Sequence, residues 1–519
     1  MKRIAKTFLI AVLLLAVPQC CYSQYFQRLH DCDTSYDWGW NLFLQADNNY
    51  FAVGWDVRSG DQFGIYNMII SSDGTTILSS HFLHLDSTAI GEGDPGKIRR
   101  TATGCYYVPG TLQRPRDTFL SSQSCLIKYN ATGDTAFLKA YTDTSRFFDN
   151  LIACAVMPDN GVLLGGGRAP YGLPDQGLLI RSDSSGDTLW SHVYPEIEGE
   201  VAWFTDLIPI NNNRIAASAL SRYTYWYGTG AFLQAYYHYT PIFMIIDSAG
   251  NVLKDTVYGH RYSGGGNISP DRFGGYMQWG WIDTIVDETD PYAIPNFPFY
   301  VAHLDTNFHM DWKIELQPSN FNGQRQIWQI KQLQDGNFIA MGDQDTYYRP
   351  HTVGWAMKVT PAGDILWQHS YFSDSNHFAY IRDMIEKPDG NLVFIGQTFN
   401  DTLPVWHNGA DLWLVGVDSN GCEIAGCGPG LWPAGTGTLV KPGVGLKVYP
   451  NPTTGELTVR VPEAGTFTLY NLQGQHVQQY QLPKGETLLR LPEQLATGMY
   501  MGRYTNEQGG SEVVKVMKE

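Results

Sequence analysis

Short apolar runs are spread along almost the whole chain. They are rich in β-branched and aromatic residues and are bounded by Gly, Asp, Asn and Pro, as in "NFIAMG" (337–342) and "NLVFIG" (391–396). Runs with this punctuation predict strands. No stretch after residue 23 keeps a helical period over a dozen residues.

The runs recur as a unit. A first run leads through a turn such as "PDG" or "QDG" to a second run ending in Gly. After a loop of variable length comes a third run, then a turn of the kind D-x-x-G. The fourth run carries Trp or another apolar residue, with Tyr four positions later. Two copies read "SDSSGDTLWSHVY" (182–194) and "TPAGDILWQHSY" (360–371), and fainter ones "NATGDTAFLKAY" (130–141) and "DSAGNVLKDTVY" (247–258). The Gly of each turn sits where a tight hairpin needs positive φ. Aligning the ends of the second runs marks Gly54, Gly110, Gly165, Ser218, Gly280, Gly342 and Gly396, 53 to 62 residues apart.

Seven units of four strands predict an all-β fold, a seven-bladed β-propeller over residues 24–427. A linear β-solenoid is the competing reading, but its repeats are shorter. The seventh unit stops after three runs, because "CEIAGCGPG" (422–430) enters a Gly/Pro-rich stretch. The missing fourth strand is available at the other end of the chain, where "YFQRLH" (25–30) precedes "YDWGWNLFL" (36–44). A ring closed in this way exposes no sheet edge. The recurring Trp190 and Trp367 are then expected on outer strands, packed against the neighbouring blade.

The first 23 residues change the picture of location. Lys2, Arg3 and Lys6 precede an apolar stretch, "FLIAVLLLAV" (8–17), and Ser23 ends a small-residue site. This is expected to be a secretory signal peptide, 1–23, and not a membrane span; nothing in the mature chain is expected to span a membrane. The net charge of −16 becomes three units more negative once those basic residues leave, which argues against a nucleic-acid partner. Six cysteines remain, Cys32, Cys105, Cys125, Cys154, Cys422 and Cys427, too few for a disulfide scaffold. Cys422 and Cys427 are the candidate pair.

Residues 428–444 have the composition of a linker. Beyond it, 445–519 read as a small Ig-like β-sandwich from pattern alone. This segment resembles the type A C-terminal sorting domain of the type IX secretion system of Bacteroidota. Tyr449, Pro450, Asn451, Pro452, Thr453 and Gly455 match its opening motif, Leu472 and Gly474 its central hairpin, and Leu495, Gly498 and Tyr500 its late strand. Lys515 and Lys518 fit its basic end, while Gly502 departs from an expected bulkier residue. The resemblance implies export to the periplasm, handling by the type IX translocon and sortase, and then release or attachment at the cell surface. It says nothing about the cargo.

No catalytic or cofactor motif stands out: G-x-S-x-G, H-E-x-x-H, Walker and EF-hand spacings are missing from the sequence. The D-x-x-G…W string resembles repeats of quinoprotein propellers, but only over one hairpin, and no cofactor is expected. Asp31, Asp33 and Asp37 lack the rest of a calcium loop. The candidate ligand-binding residues lie in the long second-to-third loops: Tyr223, Tyr225, Trp226 and Tyr227 in the loop 219–241, with Trp281, His351 and Trp406 in its neighbours. Such aromatics suit an extracellular carbohydrate or protein ligand, or else simply cover the propeller mouth. The expected role is a non-catalytic binding module. The alternatives are a hydrolase or lyase acting on polysaccharide, or a structural or adhesin component.

Overall fold

The computed structural model describes residues 26–30, 36–58, 62–85, 88–92, 96–113, 122–141, 147–170, 175–194, 201–211, 213–227, 234–257, 263–282, 299–316, 325–346, 351–373, 377–400, 410–423, 427, 438–440, 446–471, 476–492, 494–506 and 511–519. Among these residues the regular elements are all strands. Among the described residues no helix is long and apolar enough to cross a membrane. The residues expected to form the signal peptide, Cys32 and most of the linker lie outside the described set. The chain divides into two compact units, Met1–His309 with Glu315–Thr438, and Met310–Ile314 with Leu439–Glu519.

The strands of the first unit follow one another in groups. The first group is Tyr36–Leu44, Tyr50–Arg58, Gln62–Ile70 and Ile77–His84. In the second, the first strand is split into Ala89–Glu92 and Arg99–Arg100, followed by Tyr106–Gln113, Ser122–Tyr129 and Thr135–Tyr141. The third is Phe147–Val156, Val162–Pro170, Gln176–Ser182 and Thr188–Tyr194, and the fourth Trp203–Asn211, Arg214–Tyr227, Gln234–Asp247 and Val252–Val257. The fifth holds Ser263–Pro270, Tyr276–Ile282 and Phe299–Leu304, with Met310–Leu316 next in the chain. The sixth is Arg325–Gln332, Phe338–Thr346, His351–Val359 and Ile365–Tyr371, and the seventh His377–Glu386, Leu392–Asn400 and Ala410–Val417. Within a group, strands adjacent in the chain pair antiparallel, as in Tyr50↔Ile70 and Leu392↔Val417. The seventh group takes its fourth strand from the N-terminal segment: Phe26–His30 runs antiparallel to Ala410–Val417, with Phe26 opposite Gly416 and His30 opposite Leu412.

Neighbouring groups share their cores, because each sheet buries both faces against its flanking sheets. Leu42, Tyr66 and Met68 of the first group bury with Ile395, Leu412 and Leu414 of the seventh. Phe51 and Val53 bury with Tyr106, Val108 and Ile127 of the second. Ala153, Leu163 and Leu179 meet Phe204, Leu207 and Ile215, and Met341, Ala356 and Trp367 meet Ile381, Phe394 and Trp413. Each such large side chain removed from water contributes about 1.5–3 kcal/mol. The Cys125 and Cys154 thiols lie in this interior, where burial pushes both up to about 12. Cys422 and Cys427 are joined by a disulfide.

The second unit contains two sheets. Lys447–Tyr449, Glu456–Val461 and Gly485–Arg490 form one; His476–Leu482, Gly465–Tyr470, Gly498–Asn506 and Ser511–Lys518 form the other. Leu457, Val459, Phe467, Leu469, Leu489, Tyr504 and Val516 fill the space between them.

Candidate functional site

The first strands of six groups break register at a corresponding place. The shifts fall between Gly39 and Asn41, Leu151 and Ala153, Phe204 and Asp206, Gly264 and Asn267, Ile327 and Gln329, and Ile381 and Asp383. A β-bulge bends a strand and re-aims the extra side chain. Here it throws out Ile152, Thr205, Gly266 and Trp328, and these four line one cavity of about 350 Å³. The second strand must come close at the same level. A Cβ on Gly54, Gly166, Gly342 or Gly396 would fall onto the carbonyl oxygen of Trp38, Asn150, Gln326 or Tyr380 respectively. The sequence alignment had placed Gly165 and Ser218 in this row. The register instead puts Gly166 opposite Leu151 and Ala219 opposite Phe204, one residue on.

Trp203, Trp279, Trp281, Phe299 and Leu220 wall the cavity, and Asn150, Asn267 and Gln326 supply amides. The Trp281 and Phe299 ring centroids are 6.2 Å apart, and Trp203 meets Tyr239 at 5.8 Å. These residues come from the early halves of first strands, from the second strands Arg214–Tyr227 and Tyr276–Ile282, and from the start of the third strand Phe299–Leu304. The cavity therefore lies at the level of the second-to-third connections, where the sequence placed its binding rim.

One segment crosses this region. Between the two pieces of the split strand, Lys97 is bonded to three other groups. Its carbonyl accepts from the Cys154 thiol at 3.2 Å. Its ammonium donates to Asp206 Oδ2 at 2.5 Å and to Asn267 Oδ1 at 3.0 Å, 5.7 Å from the Trp279 ring centre. Gln329 Nε2 donates to the Gly96 carbonyl at 3.2 Å. Lys97 and Asp206 are buried, 1% and 2% exposed. Arg99 reaches the other Asp206 oxygen at 3.1 Å. Trp328 is held from behind: its indole N–H donates to Asp343 at 2.6 Å, and the Arg382 guanidinium stands 4.0 Å over its ring. Burial pulls Arg382 below its ordinary value, and Asp343 beside it opposes that.

Of the candidate residues read from the sequence, the structure brings Trp281 to this cavity. Tyr223, Tyr225, Trp226 and Tyr227 do not sit in a loop. They continue the strand Arg214–Tyr227, which pairs with Gln234–Asp247 out to Tyr227↔Gln234. Tyr, Thr and Trp are all strand-favouring residues, so the run 223–227 suits a strand more than a loop. Their side chains, that of His351 at the start of its strand, and all of Trp406 lie outside the described residues. Lys97, Trp203, Asp206, Trp279 and Trp328 were not singled out from the sequence. Trp279 and Trp328 sit in recurring second and first runs, a signal that could have found them. Nothing local marks Lys97 or Asp206.

A second cavity, of about 260 Å³, lies at the late ends of first strands among Leu44, Arg100, Lys331 and Glu386. Burial raises the Glu386 carboxyl above its ordinary value. This cavity lacks the tryptophans of the first.

In the second unit the opening motif is tied to the last strand. Asn451 Oδ1 accepts the Met517 N–H at 2.8 Å, and Thr453 N–H donates to the Met517 carbonyl at 2.8 Å. Tyr449 is exposed, and the peptide bonds before Pro450 and Pro452 are cis. Gly455 and Gly498 have φ of 135° and 150°. Tyr500 is buried and donates to the Ala496 carbonyl at 2.7 Å; Lys518 donates to that of Leu495 at 2.6 Å. Gly502 is small because the Phe467 ring occupies the place of its side chain. Leu472 and Gly474 lie outside the described residues.

Residues 447–519 match the family described as the secretion system C-terminal sorting domain. The chain carries a type IX sorting domain. Such a tail implies handling by the type IX secretion machinery and export to the cell surface or the medium. Among curated proteins nothing matches the chain. Of solved structures, an endosialidase of phage phi92 is 10% identical, with a TM-score of 0.41, over 96% of this chain and 88% of its own. An α-L-arabinofuranosidase of Fusarium graminearum, in complex with an iminosugar inhibitor, is 12% identical, with a TM-score of 0.36, over 63% of this chain and 97% of its own.

Proposed function

We propose that this exported protein is a carbohydrate-binding module that does no catalysis of its own. In this reading residues 24–427 are a seven-bladed β-propeller, and the aromatic cavity is its ligand site. Residues 428–444 are a linker, and 445–519 are an Ig-like sandwich that hands the chain to the translocon and sortase after the signal peptide, 1–23, has taken it to the periplasm. The successive strand groups, their shared cores and the borrowed strand Phe26–His30 support the propeller.

The observation that carries the binding role is the gathering of Trp203, Trp279, Trp281 and Trp328 around one cavity. Indole faces stack on the C–H faces of sugar rings, and amides beside them order the hydroxyls. Among the described lining residues none is a carboxylate, whereas glycoside hydrolysis ordinarily uses two. That favours binding over cleavage. A glycan array probed with the full mature chain tests the reading, with a polysaccharide-degradation screen run beside it. Saccharide binding without product release is expected. Degradation of a polysaccharide, or an array with no signal, overturns it.

A further inference from the structure

The charges gathered on Asp206 do not cancel. Asp206 is a single carboxylate shared by two cations, Lys97 on one oxygen and Arg99 on the other. Nearby, Arg168 pairs with Asp149, and Arg382 with Asp343. Asp206 and its two cations thus carry one positive charge between them, although the chain as a whole is strongly acidic.

The hydrogen-bonding inventory leans the same way. An ammonium has three donors, and two of those on Lys97 are engaged, by Asp206 and Asn267. The Trp279 indole N–H is buried, and no acceptor in the protein reaches it. Both residues line the cavity. Donors in excess of acceptors, with a net positive charge behind them, match a ligand that brings oxygens and negative charge. Burial strengthens that preference, because few waters compete.

We infer that the cavity selects a carboxylated sugar, a uronic acid residue of an acidic polysaccharide, over a neutral one. This rests on the carbohydrate reading above and narrows it. The sugar ring stacks on tryptophan, while the carboxylate faces the Lys97 ammonium, with Arg99 supplying the balancing charge through Asp206.

The test uses the full mature chain and paired ligands: oligogalacturonate, oligomannuronate and oligoglucuronate, each against its carboxyl-reduced counterpart. Tryptophan fluorescence and calorimetry follow binding. At least one acidic oligomer is expected to bind about ten-fold or more tightly than its reduced form, the scale of one charge-assisted hydrogen bond, and added salt is expected to narrow the gap. Lys97 is too deeply buried to be a clean variant. Arg99 has a side chain 29% exposed, and Arg99→Gln removes the surplus charge; it should erase most of the preference while leaving the melting temperature close to that of the parent. Equal or tighter binding of the reduced forms overturns the inference and leaves the carbohydrate reading standing. So does a preference that survives Arg99→Gln. No binding of either form in any pair, by a folded protein, overturns the carbohydrate reading itself.

Discussion

The Tyr194 hydroxyl donates to the Gly250 carbonyl at 2.5 Å, joining the last strand of one group to a turn of the next. The same bond recurs from Tyr141 to Gly186 at 3.1 Å and from Tyr371 to Gly421 at 3.0 Å. At the chain junction a ring nitrogen of His30 replaces the hydroxyl and meets the Gly74 carbonyl at 2.9 Å. Four residues before each of these stands an aromatic, Trp190, Phe137, Trp367 or Phe26, packed on that same turn glycine. The repeated string in the sequence is thus a latch between neighbouring sheets. Tyr371→Phe should cost about 1 kcal/mol, the net worth of one hydrogen bond. Trp367→Ala should cost about 3–5 kcal/mol, because it also opens a cavity. Urea titration of the two variants separates them; equal losses would mean that ring packing alone holds the joint.

The second-strand glycines opposite the bulges should be intolerant of any side chain. A Cβ at Gly342 would strike the Gln326 carbonyl, which is backbone and cannot swing aside. Gly342→Ala is expected to destabilise by about 1–3 kcal/mol. Gly91→Ala is the control, since the nearest atom to its added Cβ is Thr111 O at 3.9 Å; it should stay within about 0.5 kcal/mol. A tolerant Gly342 would show that the two strands can move apart.

Loss of one tryptophan from the cavity should weaken saccharide binding. Trp281 is half-buried beside Phe299, so Trp281→Ala should cost about 2 kcal/mol of affinity, as for a central aromatic contact, with a smaller effect on unfolding. Calorimetry with the best array hit reads the first, and thermal melting the second. Unchanged affinity would move the ligand elsewhere.

Acid should loosen the turn on which the N-terminal strand docks. Asp73 accepts from Ser71 Oγ and from the Thr75 hydroxyl and N–H, which holds its carboxyl down at about 2 against an ordinary 3.8. A depressed folded value means stability fully present above the unfolded value and lost as pH falls through the folded one. Asp73→Asn should therefore be less stable than the parent above pH ~4, and the gap should close towards pH ~2. It should amount to at most about 1 kcal/mol, because the carboxylate stands in solvent. A gap constant with pH would assign the effect to turn geometry alone.

Removing residues 445–519 should abolish passage across the outer membrane. The sorting match covers 447–519, and that segment has a core of its own. Fractionation of the native host is expected to find the truncated chain in the periplasm. Its appearance in the medium would separate export from this tail.

How much of this could be read in advance depended on distance along the chain. The D-x-x-G turns were legible because their chemistry is local: Asp183 Oδ1 accepts from Ser185 and Asp187, and Gly186 takes φ of 83°. The borrowed strand was legible because the seventh unit stopped short. The bulges were not, since an extra residue leaves no mark of its own on an apolar run, and the alignment slipped by one at Gly165 and Ser218. The hairpin of Tyr223–Tyr227 passed for a loop because its aromatics outnumbered its turn residues. The cavity was hidden for the strongest reason. Lys97 and Asp206 stand 109 residues apart, and only the converging first strands bring them together.

The pairing of Phe26–His30 with Ala410–Val417 also sets a clock. The strand cannot pair until its partner has been made, with nearly 400 residues between Gln27 and Glu423. Bringing such distant ends together carries a loop-closure cost, and long-range pairing of this kind is slow. Until it happens, Ala410–Val417 offers an open edge to any other strand nearby. An exported chain thus passes through an interval in which six groups can be complete while the seventh is still adhesive. Any change that slows this pairing prolongs the exposure of that edge.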